Sequence, residues 1–405
     1  MSQTQITAAP TLRDLRARFA PIFATIAENT RRHEAERSHP FDEVRALKDA
    51  GFGALRLDVA DGGSGVSLED FFSLLIDLAA ADSNVPQIWR LHIATVEDQR
   101  RGDDAARWRA ETAQGAFYGG AWSETGGATF VHLGTTVTRT ADGGYVLNGT
   151  KHYSTGSLFS DWISVLATLD DPSNFVTAMV RRDAPGVDLQ DNWFGIGQRL
   201  TGSGTTVFTD VAVAAEDVAP FTDRVPYAEA LVQLVHLATL AGIARAAHTD
   251  AVDALRARTR TYPQGLTDVA RNDPQYLETI GRLGALASAT EASVVWSARK
   301  LDEIVDAIDA GIDPAEIGDL VARATVAVFE AQVTITEQTL EAATLVFDVL
   351  GSSALDRSAY LDRHWRNART LASHNPRAYK ARIAGDWHVN GADPNLALLG
   401  RMLEK

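Results

Sequence analysis

Between Lys151 and Ser160 the chain sets the Tyr153 ring beside four small hydroxyls, Ser154, Thr155, Ser157 and Ser160. A flat ligand with a polar rim could use such a set, the ring packing on its face and the hydroxyls bonding its edge. A loop with no ligand can have the same composition, because Ser and Thr also favour turns. The stretch follows a strand-like run, 145–148, and an Asn148-Gly149 pair. That pair supplies the positive φ of a two-residue hairpin turn. Other chemistries find less support. The ten histidines show no His-x-x-x-His or similar ligand spacing, so no metal site is expected. There is no cysteine, which removes a thiolate site, a cysteine nucleophile and a disulfide framework. The glycines at 62–65 form an incomplete phosphate-loop pattern with no strand clearly before them.

Three regions must position the hydroxyl-rich stretch. From Thr11 to about Gly115 the apolar spacing is helical. Thr11 with Asp14 predicts an N-cap, 41–50 reads as a short helix stopped by Gly51, and Ser67 with Asp70 opens a helix apolar on nearly every face. From Phe117 to Val218 the segments are short, β-branched and punctuated by Gly and Pro, predicting a small antiparallel sheet or barrel. From Pro226 the chain is helical again, in pieces near 227–260, 275–310 and 313–350. The last of these opens on Asp313-Pro314-Ala315-Glu316 and ends at Gly351. Helices of that length usually pack as a bundle. A shorter helix near 361–371 precedes Asn375-Pro376. The expected fold is α+β, with an N-terminal α-helical domain (1–115), a middle antiparallel β domain (116–225) and a C-terminal four-helix bundle (226–405).

The 405 residues carry a net charge of −15, which argues against nucleic-acid or anionic-membrane partners. The first ten residues lack a basic and apolar leader pattern, and no run of 18 uninterrupted apolar residues occurs. A soluble, cytoplasmic protein is the expectation.

Three stretches carry a family resemblance: Ala121-Trp122-Ser123-Glu124-Thr125-Gly126-Gly127, the Asn148-Gly149-Thr150-Lys151-His152-Tyr153-Ser154-Thr155 run, and Gly197-Gln198-Arg199-Leu200-Thr201-Gly202-Ser203-Gly204-Thr205-Thr206. In this order they resemble the acyl-CoA dehydrogenase superfamily of flavoproteins, over about residues 15–391. Trp193, the 363–370 segment and His374-Asn375-Pro376-x-x-Tyr379-Lys380 are most similar to its oxygenase branch, the dibenzothiophene and sulfone monooxygenase-like enzymes. Dehydrogenases of the family use a glutamate base near that last segment. Here no glutamate occurs between Glu341 and Glu404. A base for the α-proton of an acyl thioester must be a carboxylate in reach, so its absence disfavours dehydrogenation. Family members that place the base on another helix keep an FAD-containing dehydrogenase or oxidase as the alternative.

The resemblance implies a flavin-dependent monooxygenase. It would use reduced flavin, FMN rather than FAD, from a separate flavin reductase, together with O2 and a small apolar substrate oxygenated at sulfur, nitrogen or aromatic carbon through a C4a-hydroperoxyflavin. His92 and His374 match catalytic positions. Trp122, Ser123, Tyr153, Thr155, Trp193, Ser203, Arg260, Ser352 and Ser353 match cofactor-contacting ones. Two departures stand out. Leu371 replaces a histidine usual in the oxygenases, and the arginine often found near Ser353 is missing. Phe130, Trp89 and Leu371 would line an apolar substrate pocket. The family form implies a homotetramer with cofactor sites at its interfaces.

Overall fold

The computed structural model describes residues 9–102, 105–125, 133–141, 143–313 and 315–399. Five helices come first: α1 (Leu12–Glu36), α2 (Phe41–Asp49), α3 (Leu68–Ala81), α4 (Asn84–Gln99) and α5 (Ala106–Ala113). Thr11 and Asp14 form a reciprocal capping box at the start of α1, and the Ser67 side chain accepts the Asp70 amide at the start of α3. Each such cap contributes about 1 kcal/mol by satisfying amides that the first helical turn leaves free.

Eight strands follow: β1 (Tyr118–Ala121), β2 (Thr136–Arg139), β3 (Tyr145–Lys151), β4 (Trp162–Leu169), β5 (Asp171–Arg181), β6 (Val187–Gln190), β7 (Thr205–Val213) and β8 (Val218–Pro220). They make one sheet in the order β6-β7-β3-β2-β4-β5-β8, with β1 also on β4. The sheet is mixed rather than antiparallel throughout, because β1 and β2 both run parallel to β4 along one of its edges. Val137, Leu147, Ile163, Val165, Ala178 and Phe208 give it a core of its own.

The Asn148-Gly149 pair is not the hairpin turn that its sequence suggests. It lies inside β3, at a register shift against β7. Asn148 and Asp210 bond each other there, Asp210 N to Asn148 Oδ1 at 2.8 Å and Asn148 Nδ2 to Asp210 Oδ1 at 3.0 Å. Gly149 has φ +149°, and a Cβ on it would lie 2.4 Å from Thr135 Oγ1. The glycine is therefore needed for a bulge and a close approach, not for a turn. The chain reverses instead between Thr140 and Gly144, where Thr140 N donates to Gly144 O.

The C-terminal part holds α6 (Ala228–Ala257), α7 (Pro274–Asp309), α8 (Gly318–Leu350), α9 (Asp362–Ala372), α10 (Arg377–Asn390) and α11 (Pro394–Leu399). α8 starts at Gly318, four residues later than a cap at Asp313 would place it. Asp313 instead closes a separate turn, accepting from the Ala315 amide, and Pro314 lies outside the described residues. α6 is long and apolar enough to cross a membrane. Here it is the axis of the main core, where Leu231, Leu234, Leu237 and Leu240 join Phe72 and Leu75 of α3 and Val328 of α8.

Candidate active site

The 150s and the 190–206 segment meet at one end of the sheet. Thr155 Oγ1 and Ser203 Oγ are 2.8 Å apart, Ser203 Oγ and Thr201 Oγ1 are 2.6 Å apart, and Thr201 Oγ1 donates to Gln198 O at 2.9 Å. Ser154 N donates to Gly204 O, tying the two segments at the backbone. Gly204 has no space for a side chain, since a Cβ would sit 1.8 Å from Gln190 O. Beside this relay stands Tyr153, with 54% of its surface exposed and a left-handed φ of 58°. Its ring meets Trp193 edge to face at 5.8 Å, and Trp193 Nε1 is held by the Gln198 carbonyl at 2.9 Å. The structure thus brings together Tyr153, Thr155, Trp193 and Ser203. Ser157 and Ser160 point elsewhere: both are buried and donate to the carbonyls of Gly120 and Ser157 respectively.

Trp122 and Ser123 follow β1. Ser123 pairs with His152 in an isolated bridge, and Trp122 Nε1 donates to Ser164 Oγ at 3.3 Å. The outer face of Trp122 carries the Arg224 guanidinium, 4.9 Å from the ring centroid. The turn is anchored by an ion pair that the motif reading left without a role. Lys151 Nζ lies 2.6 Å from Glu124 Oε1, fully buried, and Glu124 also accepts from the amides of Gly134 and Thr135. Burial would raise the Glu124 pKa, but the Lys151 and amide bonds outweigh it and hold the group ionised. Gly126, Gly127 and Phe130 lie outside the described residues.

The two candidate histidines have different surroundings. His92 is enclosed by Trp89, Phe117 and Tyr118, and both ring nitrogens are taken by backbone. Nε2 lies 3.0 Å from Gly53 O, and Nδ1 accepts from Tyr118 N at 3.3 Å. Burial lowers its pKa to about 4, so it is a neutral core histidine with no polar atom left for a ligand. A catalytic role for His92 would require one of these two backbone bonds to open. Trp89 and Leu371 are likewise buried in the main core, at 1% and 7% exposure.

His374 follows α9 and opens to solvent on one side. Its other side packs on His236 of α6, with ring centroids 4.1 Å apart. Burial on that packed side, then the charge of Arg90, lowers the His374 pKa and leaves a neutral imidazole at pH 7. His236 was missed in the sequence. A lone histidine within the apolar 230–244 run was the available signal, and it also fits a satisfied core residue. Here it is not satisfied: His236 is 5% exposed and neither ring nitrogen has a partner among the described residues.

Arg260, Ser352 and Ser353 form a separate group, all exposed, where α6 ends and α8 ends. Arg258 joins the two segments, Nε donating to Arg260 O and a terminal nitrogen to Val349 O. The missing arginine near Ser353 has a neighbour in Arg357, which lines a depression of about 590 Å³ beside Trp193 together with Arg199. Neither guanidinium has an ion-pair or hydrogen-bond partner among the described residues.

Residues 120–211 match the acyl-CoA dehydrogenase middle domain, and residues 234–377 match the acyl-CoA dehydrogenase C-terminal domain. A probable FMNH2-dependent monooxygenase of Pseudomonas putida, SfnC, is 28% identical over 366 residues, covering 88% of this chain and 89% of that protein. The FMN-bound crystal structure of TdsC from Paenibacillus sp. A11-2 superposes with a TM-score of 0.85 at 26% identity, over 93% of this chain and 98% of that one. TdsC is a dibenzothiophene monooxygenase. Methanesulfinate monooxygenase MsuC from Pseudomonas fluorescens superposes with a TM-score of 0.83 at 27% identity, over 95% and 98% of the two chains.

Proposed function

Because this chain belongs to the acyl-CoA dehydrogenase superfamily, we propose that it is a flavin-dependent monooxygenase that takes reduced FMN and O2 and oxygenates a small substrate at sulfur, nitrogen or aromatic carbon. The observation that carries this reading is the Tyr153 group. An exposed ring held at φ 58° beside Trp193, with a hydroxyl relay at its foot, fits a planar cofactor that would cover the ring and bond the hydroxyls. A left-handed non-glycine residue costs on the order of 1 kcal/mol, and such strain persists where function requires it.

Reduced flavin supplies the electrons and the oxygen activation when bound. The chain's own residues bind, orient and manage protons. Tyr153, Trp193 and Trp122 would pack against the flavin ring, while Thr155, Ser203 and Ser123 would offer hydroxyls to its polar edge. His374, neutral at pH 7, holds a proton on one ring nitrogen and can accept one on the other. The residue facing it from α6 is His236 and not a carboxylate, which also disfavours removal of a carbon-bound proton. Glu124, the carboxylate of the flavin-side turn, is committed to Lys151 and two amides.

Arg260, Ser352 and Ser353 would hold the cofactor phosphate, from a second copy of the chain in a homotetramer. Support comes from their exposure on elements other than those of the Tyr153 group, and from apolar side chains left bare in a single chain, Phe194 at 97% and Trp296 at 56%. A separate reductase would deliver the reduced flavin. The deciding experiment mixes protein and reduced FMN with O2 in a stopped-flow spectrometer. A transient whose spectrum matches neither reduced nor oxidised flavin supports the proposal. Direct reoxidation at the rate of free FMNH2, with bleaching of bound FAD by an acyl-CoA, would replace it with a dehydrogenase.

A further inference from the structure

α4, α6 and the turn after α9 bring three nitrogen-rich side chains together; His374 bonds Asn375, while buried His236 has no partner on either ring nitrogen among the described residues. Arg90 is fixed by one bond, Nε to Val232 O at 3.1 Å, one helical turn before His236. α4 and α6 are pinned a turn further by Gln87 Nε2 on Thr239 Oγ1 at 2.9 Å, so Arg90 and His236 are held in register. His236 packs against His374 with the ring planes tilted by 46°, and both feel the Arg90 charge. No carboxylate lies within ion-pair distance of Arg90, His236 or His374 among the described residues. Glu229, the acid whose charge acts on Arg90, is exposed and bonded to Arg224.

Orphaned donors of this kind are costly. A buried imidazole with neither nitrogen bonded forfeits about 1–3 kcal/mol of hydration without return. Burial lowers even the Arg90 pKa, to about 10, a loss that the attraction of Glu229 and the smaller repulsion of Arg224 leave uncorrected. One fixed positive charge and two neutral imidazoles are arranged for a negative charge that the chain itself does not supply. Through His374 the cluster opens to solvent, and through Arg224 it adjoins the Trp122 ring. It therefore sits on the reaction side of the site and not at the phosphate end.

We propose that Arg90, His236 and His374 are the seat of a small oxoanion, the acidic head of the substrate. This rests on the monooxygenase reading and refines it: the substrate is a short apolar group carrying a sulfinate, sulfonate or carboxylate. Arg90 supplies the fixed charge and a forked pair of donors, and each neutral imidazole supplies one N–H. The burial of Trp89 and Leu371 in the core agrees with a head group read by polar contacts and not by an aromatic slot.

The test compares two ligands of nearly equal shape on the FMN-reconstituted protein, methanesulfinate and neutral dimethyl sulfoxide, with dissociation constants from NMR titration. Methanesulfinate should bind at least about tenfold tighter, as charge-assisted bonds are roughly twice the strength of neutral ones. Arg90→Gln should remove that preference, and Arg90→Lys should restore part of it. His236→Leu should also weaken methanesulfinate, yet leave the melting temperature unchanged or raised, because it deletes an orphaned polar group. Equal binding of the two ligands, no binding of methanesulfinate, or a destabilised His236→Leu protein with unchanged anion affinity would each overturn the proposal. Reaction of FMNH2 with O2 in the absence of either ligand reports on the monooxygenase reading alone, so the two failures are distinguishable.

Discussion

Lys151 Nζ and Glu124 Oε1 lie 2.6 Å apart beneath the turn that presents Trp122 and Ser123, and the lysine is wholly buried. The two partners are not equally dependent on the contact. Glu124 keeps the Gly134 and Thr135 amides if the lysine is lost, whereas Lys151 would keep only the Trp122 carbonyl at 3.4 Å. Glu124→Gln should therefore destabilise by about 3–5 kcal/mol and Lys151→Met by less, with the double variant more stable than Glu124→Gln alone. Urea denaturation of the three proteins checks the order. Equal losses for the two single variants would show that the amides do not hold the carboxylate.

What the sequence revealed in advance was mostly local. Capping at Thr11 and Ser67 and the helix stop at Gly351 are decided by neighbours a few residues away, and each has a side chain or glycine that fits. Asn148-Gly149 misled because its local preference for a turn is overridden by partners far along the chain, Thr135 and Asp210. Tyr153, Thr155, Trp193 and Ser203 come together in the fold, a nearness that local spacing does not show and the family resemblance does. The surroundings of His92 and His236 are not legible in the sequence for a shared reason. Whether a histidine is satisfied depends on which carbonyls and amides surround it, and those come from other elements: Gly53 and Tyr118 for one, none for the other.

Stability should fall on mild acidification. His92 and His364 are held at about 4, burial being the first cause for each, and His236 is lowered as well. Unfolding would return each to about 6.5. Below that value the unfolded chain takes up protons that the folded chain refuses, so stability is lost as pH falls from about 6.5 towards 4. Each of the two could contribute on the order of 3 kcal/mol across that window. Urea midpoints measured at pH 7.5, 6, 5 and 4.5 should decline steadily. His92→Gln should cost about 1–3 kcal/mol at pH 7, by disturbing the Gly53 and Tyr118 bonds, and should flatten the decline by up to one proton. A flat profile for the wild-type protein would contradict the neutral core histidines.

The phosphate end can be separated from the ring end by ligand choice. If Arg260 holds a phosphate, Arg260→Gln should weaken FMN by about tenfold and leave riboflavin, which lacks the phosphate, unaffected. Fluorescence titration of both flavins makes the comparison. Arg357→Gln serves as the contrast, since Arg357 is exposed and unpaired near Trp193 and could substitute for the arginine absent near Ser353. A loss confined to Arg357→Gln would move the phosphate to the depression beside Trp193. Sedimentation of the same samples tests whether tight FMN binding needs more than one copy of the chain.

Tyr153 offers the sharpest separation of stability from function. Its backbone sits at φ 58°, where glycine carries no steric penalty, and its ring is more than half exposed and touches Trp193. Tyr153→Gly should therefore hold stability level or raise it by up to about 1 kcal/mol, offset in part by the greater freedom of glycine when unfolded. The same change removes the ring that the proposed flavin would cover, so FMN affinity should drop by about tenfold or more. Tyr153→Phe keeps ring and strain together, and should retain most of the affinity. Tyr153→Ala keeps the strain without the ring and should be the worst of the three. Calorimetric melting and flavin titration on this series distinguish a strained residue kept for a ligand from one that is merely tolerated, because only the former trades affinity for stability.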